Sequence, residues 1–171
     1  LIMKINKYNN IFLYRDCIIN DVIFRDVEVL SPRSIDEFKF RDDFLHFAEK
    51  INKKNNVFLI TNQPDIKRNL LKLDDLKVMH EKLMDILDFN EMFVCMHDDD
   101  DNCQCRKPKP GMILEAISKY NLKHKECIMI GDSSKDIKAA NAASIDAFLL
   151  DTNYNKDVNF SYKIKSLVSL I

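Results

Sequence analysis

Glycine is almost missing from this chain of 171 residues: only Gly111 and Gly131 occur. Both fall in motif stretches, where backbone freedom or the close approach of a neighbouring segment has a use. Net charge is missing as well. With Lys+Arg 26 and Asp+Glu 27 the balance is −1, which excludes a global field that would recruit nucleic acid or a membrane surface. No apolar run approaches the ~20 residues of a membrane span. Nothing in the first residues reads as a secretion signal, so the expected compartment is the cytoplasm. What remains is 46% hydrophobic, ordinary for a globular protein, and long enough to bury a core as one domain over residues 1–171.

Cysteine is not scarce, and its placement organises the chain. Cys95 and His97, then Cys103 and Cys105, form two close pairs, C-x-H and C-x-C, joined by a short polar loop. Three thiolates and one imidazole make the closed tetrahedral set that a structural Zn²⁺ prefers. Disulfides are the competing use and would need an oxidising compartment. Directly after the clip comes Arg106-Lys107, held by a downstream Pro-x-Pro that starts at Pro108, so the loop reads as one that aims positive charge at an anion. Asp98 to Asp101 make the tip between the two pairs acidic. This reads as a solvated tip; if it leaned over the site it would repel a second phosphate. Cys127 falls in an expected strand and reads as buried, whereas Cys17 is expected at an exposed site mouth.

Taken in order, residues 1–9 read as a polar domain edge, and Asn10 to Tyr14 as a buried parallel strand. Residues 17–39 read as an irregular excursion with a small hairpin. Helical spacing over 42–55 (Phe44, Phe47, Ala48, Ile51, with Lys53 and Lys54 near the end) predicts a helix, followed by a strand over Val57 to Ile60. A helix over 74–87 carries Leu76, His80, Leu83 and Leu87 on one face, with His80 a packing residue. Further strands are expected at 91–96, 126–130 and 146–150. Further helices are expected from Pro110-Gly111 onward, over 135–143, and as a closing amphipathic helix over 162–171. Short apolar strands alternating with amphipathic helices predict an α/β fold, a parallel sheet with helices on both faces.

Ligands in such sheets sit beyond the carboxyl ends of the strands. Tyr14-Arg15-Asp16, Thr61-Asn62-Gln63, Arg106-Lys107 and Gly131-Asp132 all fall at or just beyond such ends. Asp16 and Asp132 are carboxylates suited to Mg²⁺ facing a phosphate. Thr61 and Asn62 supply donors for phosphate oxygens, and Lys107 a point positive charge. Such a set suits phosphoryl transfer, where catalysis is mostly positioning and electrostatics. Singly, each has a plainer use: Thr-Asn-Gln as a turn, Asp132 as a helix cap.

These residues carry a resemblance to the haloacid-dehalogenase superfamily. Within it, the chain is similar to the small heptose-bisphosphate and histidinol-phosphate phosphatases. The carriers are Ile-Phe-Leu-Tyr-Arg-Asp-Cys-Ile-Ile-Asn (11–20), Thr-Asn-Gln (61–63), the cysteine–histidine clip, Cys-Arg-Lys-Pro-x-Pro-Gly-Met (105–112) and Gly-Asp-x-x-x-Asp (131–136). The resemblance covers roughly residues 10–152. It implies a three-layer Rossmann-like fold with a minimal cap and a zinc-binding loop. It implies Asp16 as general acid/base, Thr61 and Asn62 as phosphate binders, and Arg106 and Lys107 as cations on the substrate and phosphoryl group. It further implies Asp16, Asp132 and Asp136 around Mg²⁺, and Cys95, His97, Cys103 and Cys105 around Zn²⁺.

One departure bears on activity. The family's first motif reads Asp-x-Asp-Gly, and its first Asp is the covalent nucleophile; here Tyr14 stands in its place and Cys17 in that of the glycine. Tyr14 cannot form an aspartyl phosphate, its phenol is un-ionised at neutral pH, and it is bulkier than Asp. Losing a covalent nucleophile costs on the order of 10⁶ in turnover in another hydrolase. The expectation is therefore a zinc-stapled phosphatase domain with hydrolysis lost or reduced. It would retain binding of a phosphorylated small molecule, a sugar phosphate by resemblance, or serve a protein partner as a pseudoenzyme. The alternative is an active Mg²⁺-dependent phosphomonoesterase. A zinc-finger-like nucleic-acid module, which would need a basic face, is disfavoured by the charge balance and the acidic tip.

Overall fold

The computed structural model describes residues 4–51, 53 and 55–171. Its frame is a six-stranded sheet. The strands are β1 (Asn10–Tyr14), β4 (Asn56–Asn62), β5 (Glu91–Cys95), β6 (Cys127–Gly131), β7 (Asp146–Leu150) and β8 (Lys163–Ile164), in the order β5-β4-β1-β6-β7-β8. Every neighbouring pair is parallel. The short β2 (Ile23–Arg25) and β3 (Glu28–Leu30) pair antiparallel as the small hairpin expected between β1 and the first helix.

Period-2 alternation sends successive side chains of each central strand to opposite faces. Ile11, Leu13, Val57, Leu59, Ile128 and Ile130 join one buried cluster, and Phe12, Phe58, Ile60, Cys127 and Met129 the other. Helices α1 (Asp42–Lys50) and α2 (Leu73–Ile86) cover the first face with Phe44, Phe47, Leu76, Met79 and Leu83. Helices α3 (Gly111–Lys119) and α4 (Ser134–Ala142) cover the second with Met112, Ile113, Ala116, Ile117, Ile137 and Ala140. Each fully buried side chain of this size contributes about 1.5–3 kcal/mol. The result is the expected three-layer α/β sandwich. No helix among the described residues is long and apolar enough to cross a membrane.

Three local expectations are corrected. The last segment is not an amphipathic helix. Lys163 and Ile164 add an edge strand to β7, and Leu167–Leu170 form a short 3₁₀ turn. The apolar spacing there is three: Ile164, Leu167 and Leu170 are buried, which suits a 3₁₀ repeat. The Asp43 carboxylate secures that turn by accepting from the Leu167 amide and the Ser166 hydroxyl. The N-terminal stretch is more than a polar edge, because Ile5 and Tyr8 are buried and the Tyr8 hydroxyl donates to Asp146 at 2.7 Å. Finally, α1 stops at Lys50; Asn52 and Lys54, inside the helix read from sequence, lie outside the described residues, as do Leu1 to Met3.

Both glycines have a steric reason. A Cβ on Gly111 would strike the backbone of Gln104, and one on Gly131 would strike the side chain of Asp136. The need at both sites is close approach; neither has a positive φ.

Candidate active site

The four strands that carry the motifs, β5, β4, β1 and β6, are consecutive in the sheet. Their carboxyl ends therefore bring Tyr14, Thr61, Asn62, Cys95 and Gly131 to one rim, and the clip returns Arg106 and Lys107 to the same place. Asn62 fixes that return: its side-chain amide donates to the Lys107 carbonyl at 3.2 Å, and its oxygen accepts from the Lys107 amide at 3.1 Å.

Lys107 is buried. Its ammonium pairs with Asp136 and lies 3.1 Å from the centroid of the Tyr14 ring. The ring's negative face thus lies against the ammonium. Burial lowers the Lys107 pKa, opposed by the charge of Asp136. Burial raises the Tyr14 phenol well above its ordinary range, with the charges of Asp16, Asp136 and Asp132 adding to it. No phenolate is available here as a nucleophile.

Asp16 is buried and surrounded by donors. Its Oδ1 accepts from Arg15 Nε at 3.0 Å, Arg15 Nη2 at 2.7 Å and Asn20 Nδ2 at 3.1 Å. Its Oδ2 accepts from Ser31 Oγ and Gln63 Nε2, both at 2.9 Å. Burial alone would raise its pKa; the Arg15 charge and these hydrogen bonds outweigh it and hold the carboxyl below the usual range. A general acid must carry a proton to the leaving oxygen, and in this arrangement Asp16 is ionised and fully engaged. Thr61 is buried too, its hydroxyl accepting from Gln63 Nε2 at 2.9 Å.

Asp136 is likewise engaged. Its Oδ2 accepts from the Asp132 and Ser133 amides and the Ser133 hydroxyl, and its Oδ1 faces Lys107. Ser133 and Asp136 form the capping box of α4, so Asp132 is not needed as the cap. The Asp132 Oδ2 accepts from the Tyr154 hydroxyl at 2.7 Å, whereas its Oδ1 is buried without a partner among the described residues. Burial, then the charge of Asp136, pushes its pKa up to about 7. Mg²⁺ wants near-octahedral oxygen ligation from one or two carboxylates, water and phosphate. Of the three carboxylates this site offers a single free oxygen, Asp132 Oδ1, and Tyr14 offers none. The residues present do not fit a strong Mg²⁺ site.

Cys17 sits in the left-handed region at φ 71°, where a glycine would be unstrained and another residue costs about 1–2 kcal/mol. It is buried rather than exposed at a site mouth. Burial pushes its thiol up to about 12, so it is not a reactive thiolate.

The clip contrasts with this pocket. The Cys95, Cys103 and Cys105 sulfurs lie 3.1–3.7 Å apart, and His97 Nδ1 is 3.2 Å from Cys105 and 3.6 Å from Cys95. All four ligand atoms fall within 4.8 Å of one another. Disulfide sulfurs would be ~2.05 Å apart; a tetrahedral ion with ~2.3 Å bonds to sulfur sets its sulfurs about 3.8 Å apart, at the upper end of the spacings seen. The cysteines are free, and the donor set fits a metal ion. The acidic tip is neither fully solvated nor unpaired. Arg106 Nε donates to Asp99 at 2.7 Å, Arg68 grips Asp98 at 2.6 and 2.7 Å, and Lys67 meets Asp101 at 2.5 Å.

Sequence reasoning named Arg15, Asn20 and Gln63 within motifs without giving them roles, and missed Ser31 and Tyr154 altogether. Ser31 and Tyr154 arrive from loops whose local sequence carries no signal for it. Arg15 could have been found, since a cation beside a motif carboxylate is its natural partner.

Comparison with known proteins bears on the same residues. The family model for haloacid dehalogenase-like hydrolases matches residues 16–144. The D-glycero-beta-D-manno-heptose-1,7-bisphosphate 7-phosphatase of Neisseria meningitidis is 38% identical over 91 residues, so the chain spans about half its length (50% of this chain, 49% of that one). The D-glycero-alpha-D-manno-heptose-1,7-bisphosphate 7-phosphatase of Photorhabdus laumondii is 32% identical over 169 residues, 89% of this chain and 87% of that one. The crystal structure of the B. bronchiseptica D,D-heptose 1,7-bisphosphate phosphatase, complexed with magnesium and phosphate, superposes with a TM-score of 0.81 at 26% identity, covering 95% of both chains. With the fold, the order of motifs and these matches in agreement, the chain belongs to the haloacid dehalogenase-like hydrolase family.

Proposed function

We propose that this chain is a domain of the heptose-bisphosphate phosphatase type in which phosphoester hydrolysis is lost or strongly reduced, and that its remaining role is to bind a phosphorylated small molecule, a sugar phosphate by analogy with its relatives. One observation carries the reading. Tyr14 stands at the end of β1 where the covalent nucleophile would stand, and its ring holds the Lys107 ammonium. Among the described residues beside it, Asp16 and Asp136 are engaged by protein donors, Cys17 is buried with a raised pKa, and Asp132, the one carboxylate with a free oxygen, is pushed up to about 7 by burial and the charge of Asp136.

Lys107, Thr61, Asn62 and Arg106 are the groups for the phosphate. The first three are held in place by Asp136, Gln63 and each other. Cys95, His97, Cys103 and Cys105 would hold Zn²⁺, whose part is to fasten the loop that carries Arg106 and Lys107. Ligating thiolates suit a reducing compartment such as the cytoplasm.

The test is phosphate release from p-nitrophenyl phosphate and a sugar-phosphate panel with Mg²⁺. The natural chain should stay at background. The double variant Tyr14→Asp, Cys17→Gly restores the nucleophile and relaxes the left-handed turn. It should exceed the natural chain by at least about 100-fold, a fraction of the ~10⁶ that a lost nucleophile costs. Clear turnover by the natural chain that Asp16→Asn abolishes would establish the alternative, an active phosphomonoesterase.

A further inference from the structure

The rim in front of Lys107 is a set of ion pairs that joins three segments. Arg33, just after β3, pairs with Asp65 in the turn after β4 at 2.7 Å. Arg68 reaches both Asp65 at 3.4 Å and Asp98 at 2.6 Å. Lys67 takes Asp101, and Arg106 takes Asp99 at 2.7 Å and approaches Asp98 at 3.9 Å. The tip carboxylates Asp98, Asp99 and Asp101 are thus matched by Arg68, Arg106 and Lys67, and Lys109 beside them donates to the Asn102 and Cys103 carbonyls.

Arg106 is the cation that matters. A guanidinium is a fork that grips a phosphate through two parallel N–H bonds. Here Nε is taken by Asp99 Oδ1, and Nη1 donates to the His97 carbonyl at 3.2 Å. The Arg106 side chain is only 11% exposed, while that of Asp99 is 72% exposed. The arginine is therefore fixed in place, and its partner stands toward incoming ligand. A hollow beside the tip, lined by Asp98, Asp99, Asn102, Arg106, Lys107 and Lys109, has a volume of about 130 Å³. Small-molecule sites usually run ~300–1,000 Å³, so a ligand larger than a phosphate group does not fit within this hollow.

We propose that Asp99 is a specificity-determining residue: by occupying Arg106 it makes the site select ligands with a single phosphate and reject those with a second. This rests on the reading that the pocket binds a phosphorylated small molecule. Lys107 at the base takes the one phosphate. A second phosphate at the rim meets Arg106 already neutralised and the Asp98 and Asp99 charges beside it.

The experiment is calorimetric titration of the metal-loaded full chain with glucose 6-phosphate and with fructose 1,6-bisphosphate, alongside Asp99→Asn and Asp100→Asn. Asp100 is exposed and forms none of these pairs, so its variant reports the same change of charge without freeing Arg106. The natural chain should prefer the monophosphate. Asp99→Asn should tighten the bisphosphate about tenfold, 1.4 kcal/mol, and change the monophosphate less than about twofold; Asp100→Asn should leave the preference in place. Equal effects of the two variants, no effect of either, or a natural preference for the bisphosphate would overturn the assignment of Asp99 while leaving phosphate recognition standing. No binding of either sugar phosphate, or of orthophosphate, to any of the three proteins would overturn both.

Discussion

The clip and the strand-end pocket share residues 105–107 as a border, yet they are built in opposite ways. In the clip the sulfurs and the imidazole point at one another and leave a centre for an ion. In the pocket the carboxylates of Asp16 and Asp136 point at protein donors, and Lys107 at the base contacts Asp136 and the Tyr14 ring. A staple needs only ligands at the right spacing, and all four are present. Covalent hydrolysis needs one specific atom, and in the proposed reading Tyr14 stands where that atom would be.

Breaking the clip should have the largest effect. Cys105→Ser, or chelation of the native protein, should remove the metal proposed for the clip, whose binding would be coupled to folding of the loop. Stability should fall by more than about 3 kcal/mol in denaturant titration, since structural zinc contributes on that order or more. A chain purified without zinc and equally stable would erase the contrast between the regions.

Breaking the pocket should cost less but discriminate better. Lys107→Ala leaves Asp136 buried without its cation and should destabilise by about 3 kcal/mol. Tyr14→Phe keeps the aromatic face over the ammonium and should be within about 0.5 kcal/mol of the natural chain, whereas Tyr14→Ala should lose about 2 kcal/mol of cation–π contact and packing. If phenylalanine and alanine behave alike, the ring is not the partner of Lys107.

The smallest effect sharpens the flank of the pocket. His80 on α2 is mostly buried, and burial, then the charge of Arg15, pushes its pKa down from 6.5 to about 4. Between those values the unfolded chain binds a proton that the folded chain does not, so stability falls as pH falls from 6.5 toward 4. The loss attributable to this group should be about 1–2 kcal/mol, discounted for its partial exposure. His80→Gln should remove that part of the slope in urea titrations run across this window; an unchanged slope would mean that His80 titrates normally.

The sheet was legible because its central strands are short apolar runs, and β1 and β7 fall on the residues that hydrophobicity picks out. The site was legible as a set of strand ends, because the order of elements forces Tyr14, Thr61 and Gly131 to one rim. The end of the chain was not, since the spacing of Ile164, Leu167 and Leu170 fits a 3₁₀ turn as well as an amphipathic helix, and only docking against β7 and Asp43 decides between them. The capture of Asp16 by Ser31 and Gln63, of Asp132 by Tyr154, and of Arg106 by Asp99 was equally hidden. Each is a contact between segments distant in sequence or across a loop whose path local residues do not dictate.

The claim on which these readings rest is that the pocket has no residue able to carry a phosphoryl group. Intact-protein mass measurement after incubation with acetyl phosphate and Mg²⁺ tests it directly. The natural chain should show no phosphoryl adduct, while Tyr14→Asp with Cys17→Gly should acquire one that hydroxylamine removes. An adduct on an aspartate of the natural chain, Asp16 above all, would contradict the account.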